Sequence, residues 1–151
     1  MFKGIPPIIS PELLKVLHEM GHGDVLVIGD ANFPAASMAA AENHINIRCD
    51  GHRATELLDA ILKLFPLDDF VAKPVAIMDK CEKDKDLETP VWDEFADIVS
   101  RYDERGADAI EYIERFAFYA RSKKAYACVS TTENAFYACI MIQKGTIVGD
   151  V

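Results

Sequence analysis

Five consecutive residues, His18-Glu19-Met20-Gly21-His22, spell HExxH, which on a helix binds zinc through both histidines and uses the glutamate as general base. Glu42 lies at a plausible separation for a third ligand. The geometry needs both histidines on one helical face. Gly21 and Gly23 bracket His22 and should end the helix before it, while Leu17 and Met20 claim the buried face. Short motifs of this kind also arise by chance, so zinc hydrolysis is disfavoured. What remains is a histidine between glycines, leading into a strand, with Asp30 just past that strand's end. Imidazole is the natural proton shuttle near neutral pH, and a carboxylate can orient it or bind a ligand hydroxyl. Strand ends that open into loops are where α/β proteins hold ligands. Taken alone, His22 reads more readily as a structural loop histidine than as a catalytic one. No phosphate cradle is visible, because Gly21-His22-Gly23 lacks a third glycine and a following helix.

The elements that must position these residues are marked along the chain. Ser10-Pro11-Glu12 predicts a helix start, with a capping hydroxyl, a first-turn proline and an acid at the positive end. Leu13, Leu14, Leu17 and Met20 follow at helical spacing, and Gly21 supplies the stop. Short apolar runs predict strands over 24–29 and 74–78, and 44–49, ended by Asp50-Gly51, reads as another. Residues 54–65 predict a helix with Leu57, Leu58, Ile61, Leu62 and Phe65 on one face, stopped by Pro66. Thr89-Pro90 caps another, whose stripe is Val91, Phe95, Ile98, Val99 and Tyr102. A strand over 109–113 and a helix over 114–124 follow. Two more strands, 126–129 and 136–142, flank the polar turn Ser130-Thr131-Thr132-Glu133-Asn134. Residues 79–88 hold five acids and three lysines and read as a solvated surface loop. Strands alternating with helices of this length predict an α/β sheet covered on both faces. No linker or repeat divides residues 1–151, so one domain is expected.

Composition narrows the partners. Sixteen basic against 25 acidic residues give a net charge of −9, which repels phosphate backbones. The basic cluster Arg121, Lys123 and Lys124 is too small to reverse this, so no nucleic acid is expected. No membrane span is expected either. Residues 31–41 are too short and carry Pro34, and residues 125–142 are broken by the polar turn. The N-terminus lacks the apolar stretch and cleavage site of a signal peptide. Cys49, Cys81, Cys128 and Cys139 show no CxxC spacing and read as reduced thiols, which predicts the cytoplasm.

Several segments, taken in order, resemble the L-fucose mutarotase and D-ribose pyranase family. They are Ile9-Ser10-Pro11-Glu12-Leu13-Leu14, Met20-Gly21-His22-Gly23-Asp24, Asp30-Ala31-Asn32-Phe33-Pro34-Ala35, Ile47-Arg48-Cys49-Asp50-Gly51 and Pro66-Leu67-Asp68. Thr89-Pro90-Val91-Trp92, Glu114-Arg115-Phe116-Ala117-Phe118-Tyr119 and the closing residues 137–145 continue the match, which covers about residues 3 to 147. Each motif is short; their order makes the signal specific. The Thr89 and Glu114 segments look like the fucose branch.

The resemblance implies a cytoplasmic isomerase that interconverts the anomers of a monosaccharide without a metal or organic cofactor. It implies a single-domain three-layer α/β/α sandwich, assembled as rings that pair into decamers with sites near subunit contacts. On matching positions His22 would be the proton donor, and Asp68 and Tyr119 further catalytic residues. Asp30, Arg115 and Tyr137 would bind substrate, and Met78 would form an apolar wall. The chemistry suits these residue types. Opening a pyranose needs one proton removed from the anomeric hydroxyl and one delivered to the ring oxygen, and fixed partners for the remaining hydroxyls give discrimination. Without the resemblance, Tyr119 and Tyr137 read as core or edge, Asp68 as a turn or cap and Arg115 as a surface ion-pair partner.

One departure stands out. The family closes on Tyr-Gly-Asn, whereas this chain has Tyr137-Ala138-Cys139, so a thiol replaces a hydrogen-bonding amide at a substrate-binding position. A pyranase acting on ribose and a non-catalytic, transport-associated sugar-binding module stay open as alternatives.

Overall fold

The computed structural model describes residues 1–42 and 44–149. Its elements run α1 (Pro11–Glu19), β1 (Val25–Gly29), α2 (Ala35–Ala40), β2 (Ile45–Cys49), α3 (Ala54–Leu62), β3 (Val75–Met78), α4 (Pro90–Tyr102), β4 (Ile110–Ile113), α5 (Arg115–Lys123), β5 (Ala127–Thr131) and β6 (Ile140–Gln143). Short 3-10 turns at Glu82–Asp84 and Gly106–Ala109 precede α4 and β4. The six strands form one sheet in the order β2-β5-β1-β6-β3-β4. β6 runs antiparallel between β1 and β3, and the other pairings are parallel.

Alternation along the central strands gives each face its own core. Leu26, Ile28, Val75, Ile77, Ile140 and Ile142 point to one face, where the stripes of α1, α3 and α4 cover them. Val27, Ala76, Met78, Cys128, Cys139 and Met141 point to the other, covered by Met38 of α2 and Phe118 of α5. This is the expected three-layer α/β/α sandwich. Among the described residues no helix is long and apolar enough to cross a membrane.

Four local readings need correction. α1 stops at Glu19, and Gly21 does not adopt the left-handed conformation expected of a stop; Gly23 does, at φ 85°. The helix is ended from outside, because Lys144 Nζ donates to the carbonyls of Leu17 and Met20 at 2.8 and 2.7 Å. Residues 136–139 are not strand. Extended structure begins at Ile140, and Tyr137 sits at φ 56°. Finally, α3 ends three residues early, although Phe65 still packs in the core, and α2 has no counterpart in the sequence reading.

Candidate active site

The predicted site residues fall into two groups at opposite ends of the sheet. At the carboxyl ends of β1 and β3 and the start of β6 lies a cavity of about 250 Å³. Asp30, Met78, Arg115, Tyr119, Tyr137 and Cys139 all line it. Asp30 follows β1 directly, and an Asx turn, Asn32 N–H to Asp30 Oδ1 at 3.0 Å, fixes its carboxylate. Burial raises this carboxyl above the usual aspartate range, against the opposing pull of the Asn32 N–H and the Cys139 thiol. Cys139 is buried beside it, and burial together with the Asp30 charge pushes its thiol well up. The thiol therefore reaches the cavity alongside Asp30, as an uncharged wall.

α5 delivers the two groups opposite. Glu114 caps the helix, accepting from the N–H of Phe116 at 2.9 Å and of Ala117 at 3.0 Å, which sets the direction of the first turn. Arg115 and Tyr119 lie one turn apart, with Arg115 Nε donating to Tyr119 Oη at 3.1 Å and the guanidinium 5.3 Å from the ring centre. Tyr137 is held on its backbone by Trp92, whose indole N–H donates to Tyr137 O at 2.9 Å. Cys81, Lys83 and Asp84 complete the wall. They belong to the segment read as a solvated loop, and its charge pattern alone gave no sign of this.

His22 and Asp68 lie at the other end. β1 has five residues at about 3.3 Å each, so the two strand ends stand roughly 16 Å apart. His22 Nε2 meets Asp68 Oδ1 at 3.0 Å, with the imidazole half-exposed and the carboxylate buried. Asp68 also accepts from Phe70 N–H at 3.0 Å and from Gln143 Nε2 at 2.9 Å. Burial opposes its charge, but these hydrogen bonds outweigh it and hold the carboxyl below the usual aspartate range. Ionised Asp68 can only accept, so His22 carries its proton on Nε2 and leaves Nδ1 as the free base in the neutral ring. The Phe70 ring packs 4.8 Å from the imidazole.

The segment carrying Asp68 is fastened by groups far apart in sequence. Arg105 donates to the carbonyls of Asp68 at 3.0 Å and Val71 at 2.8 Å, and Asp68 N–H pairs with Gln143 O at 3.0 Å. A Cβ on Gly145 would lie 2.5 Å from Leu67 O and 2.9 Å from Asp68 Cα. Gly145→Ala must therefore push the Asp68 segment away. We expect it to cost about 1–3 kcal/mol, as overpacking does. A thermal unfolding curve several degrees lower checks this, and an unchanged midpoint would contradict the close approach.

The HExxH geometry is absent. α1 ends at Glu19, so His18 and His22 do not share a helical face, and His22 is paired with Asp68 instead. Among the described residues no cluster of three His, Cys, Asp or Glu side chains is arranged to hold a metal ion.

The chain as a whole is similar to known proteins. Residues 3–147 match the profile of the RbsD / FucU transport protein family. The chain is 47% identical over 150 residues to fucose mutarotase of Danio rerio, covering 97% of this chain and 95% of that one. Among solved structures it is similar to FucU from Bifidobacterium longum, at 53% identity and a TM-score of 0.93. It is also similar to the fucose mutarotase of Streptococcus pneumoniae in complex with L-fucose, at 44% identity and a TM-score of 0.88. Both alignments cover 97% of this chain and 100% of the other.

Proposed function

The chain belongs to the RbsD / FucU transport protein family, and from that premise we propose that it is a cofactor-independent mutarotase acting on L-fucose or a closely related aldose. The observation that carries this reading is the cavity itself. A carboxylate, a guanidinium and two phenols converge on a space small enough for one sugar ring, beneath the usual volume of drug-sized pockets. Full-length similarity to fucose mutarotases points to the same chemistry.

In the proposed reaction a base takes the proton of the anomeric hydroxyl, the bond between the anomeric carbon and ring oxygen breaks, and an acid protonates the ring oxygen. The open aldehyde turns about its neighbouring bond, and the reverse transfers close the ring on its other face. His22 Nδ1 and the Tyr119 hydroxyl supply the two proton positions. Asp68 acts on His22 rather than on the sugar, holding the ring and its tautomer. Asp30, Arg115 and Tyr137 bind the hydroxyls, and Met78 and Cys139 form the less polar wall.

These groups can meet only if two copies of the chain share a site, His22 of one copy closing the cavity of a neighbour. Exposed aromatics border both halves, Phe70 beside His22 and Phe116 and Phe136 beside the cavity, as surfaces that a neighbour would cover. A contact between copies is therefore expected, and the family resemblance implies that it closes as rings paired into a decamer; light scattering that shows a monomer at micromolar concentration would contradict it. Four free thiols suit a reducing compartment, so the cytoplasm is the proposed location.

Saturation-transfer NMR on L-fucose and D-ribose in one assay tests the reading. Faster anomer exchange of L-fucose, with ribose slower, supports it; exchange at the buffer rate for every common aldose would sink it. Position 139 then refines the substrate. Cys139→Asn adds a group that both donates and accepts, so it is expected to lower the KM for L-fucose about two- to ten-fold, one hydrogen bond's worth. No response from any sugar would mean that residue 139 does not touch the substrate.

A further inference from the structure

We propose that Asp84, in the acidic segment after β3, is a positioning residue of the sugar cavity that makes Tyr137 an obligate hydrogen-bond acceptor for one sugar hydroxyl. The inference rests on the reading of that cavity as a sugar site. Tyr137 Oη lies 2.5 Å from Asp84 Oδ2. An ionised carboxylate has no proton to give, so the phenol donates. The same oxygen accepts the N–H of Cys81 at 3.2 Å. One lone pair is left, and it is all that the Tyr137 hydroxyl can offer a sugar in the cavity that Cys81, Asp84 and Tyr137 line together.

Tyr119 is set the other way. Its oxygen accepts from Arg115 Nε and keeps its own proton. Two phenols in one cavity therefore have opposite polarity, Tyr119 giving and Tyr137 receiving. That division separates the acid from the binding group and selects sugars that present a hydroxyl proton toward Tyr137.

The rest of the structure spends considerable restraint on this one oxygen. Tyr137 stands at φ 56°, a left-handed conformation that a bulky residue adopts only when its surroundings impose it. Trp92 fixes its carbonyl, and Asp84 and Cys81 fix its hydroxyl. The 3-10 turn Glu82–Asp84 presents the Asp84 carboxylate, half-buried between exposed Glu82, Lys83, Lys85 and Asp86. Burial, and after it the Asp84 contact, pushes the Tyr137 phenol up to about 12.

The test is a cycle of Asp84→Asn and Asp84→Ala in wild-type and Tyr137→Phe backgrounds, read by L-fucose exchange and by tyrosinate absorbance against pH. In the wild-type background Asp84→Ala should raise KM about three- to ten-fold and change kcat less, and Asp84→Asn, whose amide oxygen can still accept the phenol proton, should raise it less. In the Tyr137→Phe background the same substitutions should change KM no further. In Asp84→Ala the Tyr137 phenol, identified by its absence in the Tyr137→Phe background, should ionise at lower pH than in the wild type, because the carboxylate that opposes its charge is gone. An unchanged KM, a KM rise that persists undiminished without the Tyr137 hydroxyl, or an unmoved titration overturns the proposal. Failure of the sugar-site reading looks different: the wild-type protein then fails to exchange any aldose, whatever the titration shows.

Discussion

His22→Ala is expected to slow the catalysed anomer exchange of L-fucose by about 10²–10⁴-fold, the usual contribution of a positioned acid–base group. The imidazole is oriented by a buried carboxylate and keeps one nitrogen free, which is the arrangement a proton shuttle needs. Its side chain is 42% exposed, so removing it leaves the core intact. Thermal unfolding should therefore shift little while saturation transfer collapses toward the buffer rate. A chelator should have no effect on the wild-type rate. Exchange in His22→Ala within a few-fold of wild type would place the proton transfer on another residue.

Asp68→Ala is expected to damage both stability and rate. Its carboxylate is 1% exposed and receives three hydrogen bonds, so truncation strands Phe70 N–H and Gln143 Nε2 without an acceptor. A fully buried group left unpaired costs about 1–3 kcal/mol, and these two half-buried ones reach its lower part. At about 2–4 °C per kcal/mol for a chain of this size, the midpoint should fall by several degrees or more. The sign of the pH dependence follows from the lowered carboxyl. Its stabilisation is fully present above the ordinary aspartate value of 3.8 and is lost as pH falls through the depressed folded value below it. The gap between wild type and Asp68→Ala should therefore narrow only in that acid range. Equal midpoints at pH 7 would contradict the buried network, and unchanged exchange would remove Asp68 from the account of His22.

Local chemistry made much of the framework legible. Residues 25–29 and 74–78 are unbroken apolar runs because strands buried on both faces must be, and Ser10-Pro11 announces α1 by chemistry that acts within one turn. What the sequence hid depends on contacts across the chain. Lys144 ends α1 from 124 positions away, so Gly21 looked like the stop. Ala35–Ala40 is small, short and capped by no side chain, and nothing local distinguishes it from a loop. The unbroken apolar run over 136–142 makes 136–139 look like a continuation of the strand, while the Trp92 hydrogen bond and the left-handed Tyr137 that break it come from tertiary structure.

The site was legible residue by residue and not in its arrangement. The family resemblance brought together His22, Asp68 and Tyr119 as one catalytic group, yet the sheet sets the first two apart from the third by a strand's length. Asp68 looked like a turn residue, because a buried carboxylate shows its burial only when Gln143 and Phe70 arrive beside it. Asp84 lay within a charge run that ordinarily means a solvated face. Only the distance to Tyr137 marks it out.

The central claim is that two copies of the chain build one mutarotase site, His22 from one and Tyr119 from its neighbour. Co-expression of His22→Ala with Tyr119→Phe under separate tags, purification of the mixed assembly and saturation-transfer NMR on L-fucose test it most directly. Each variant alone should be nearly inactive. The mixed assembly should recover roughly a quarter of the wild-type rate, since random neighbours in a closed ring pair an intact His22 with an intact Tyr119 about that often. A mixed assembly no faster than either variant alone would contradict the shared site.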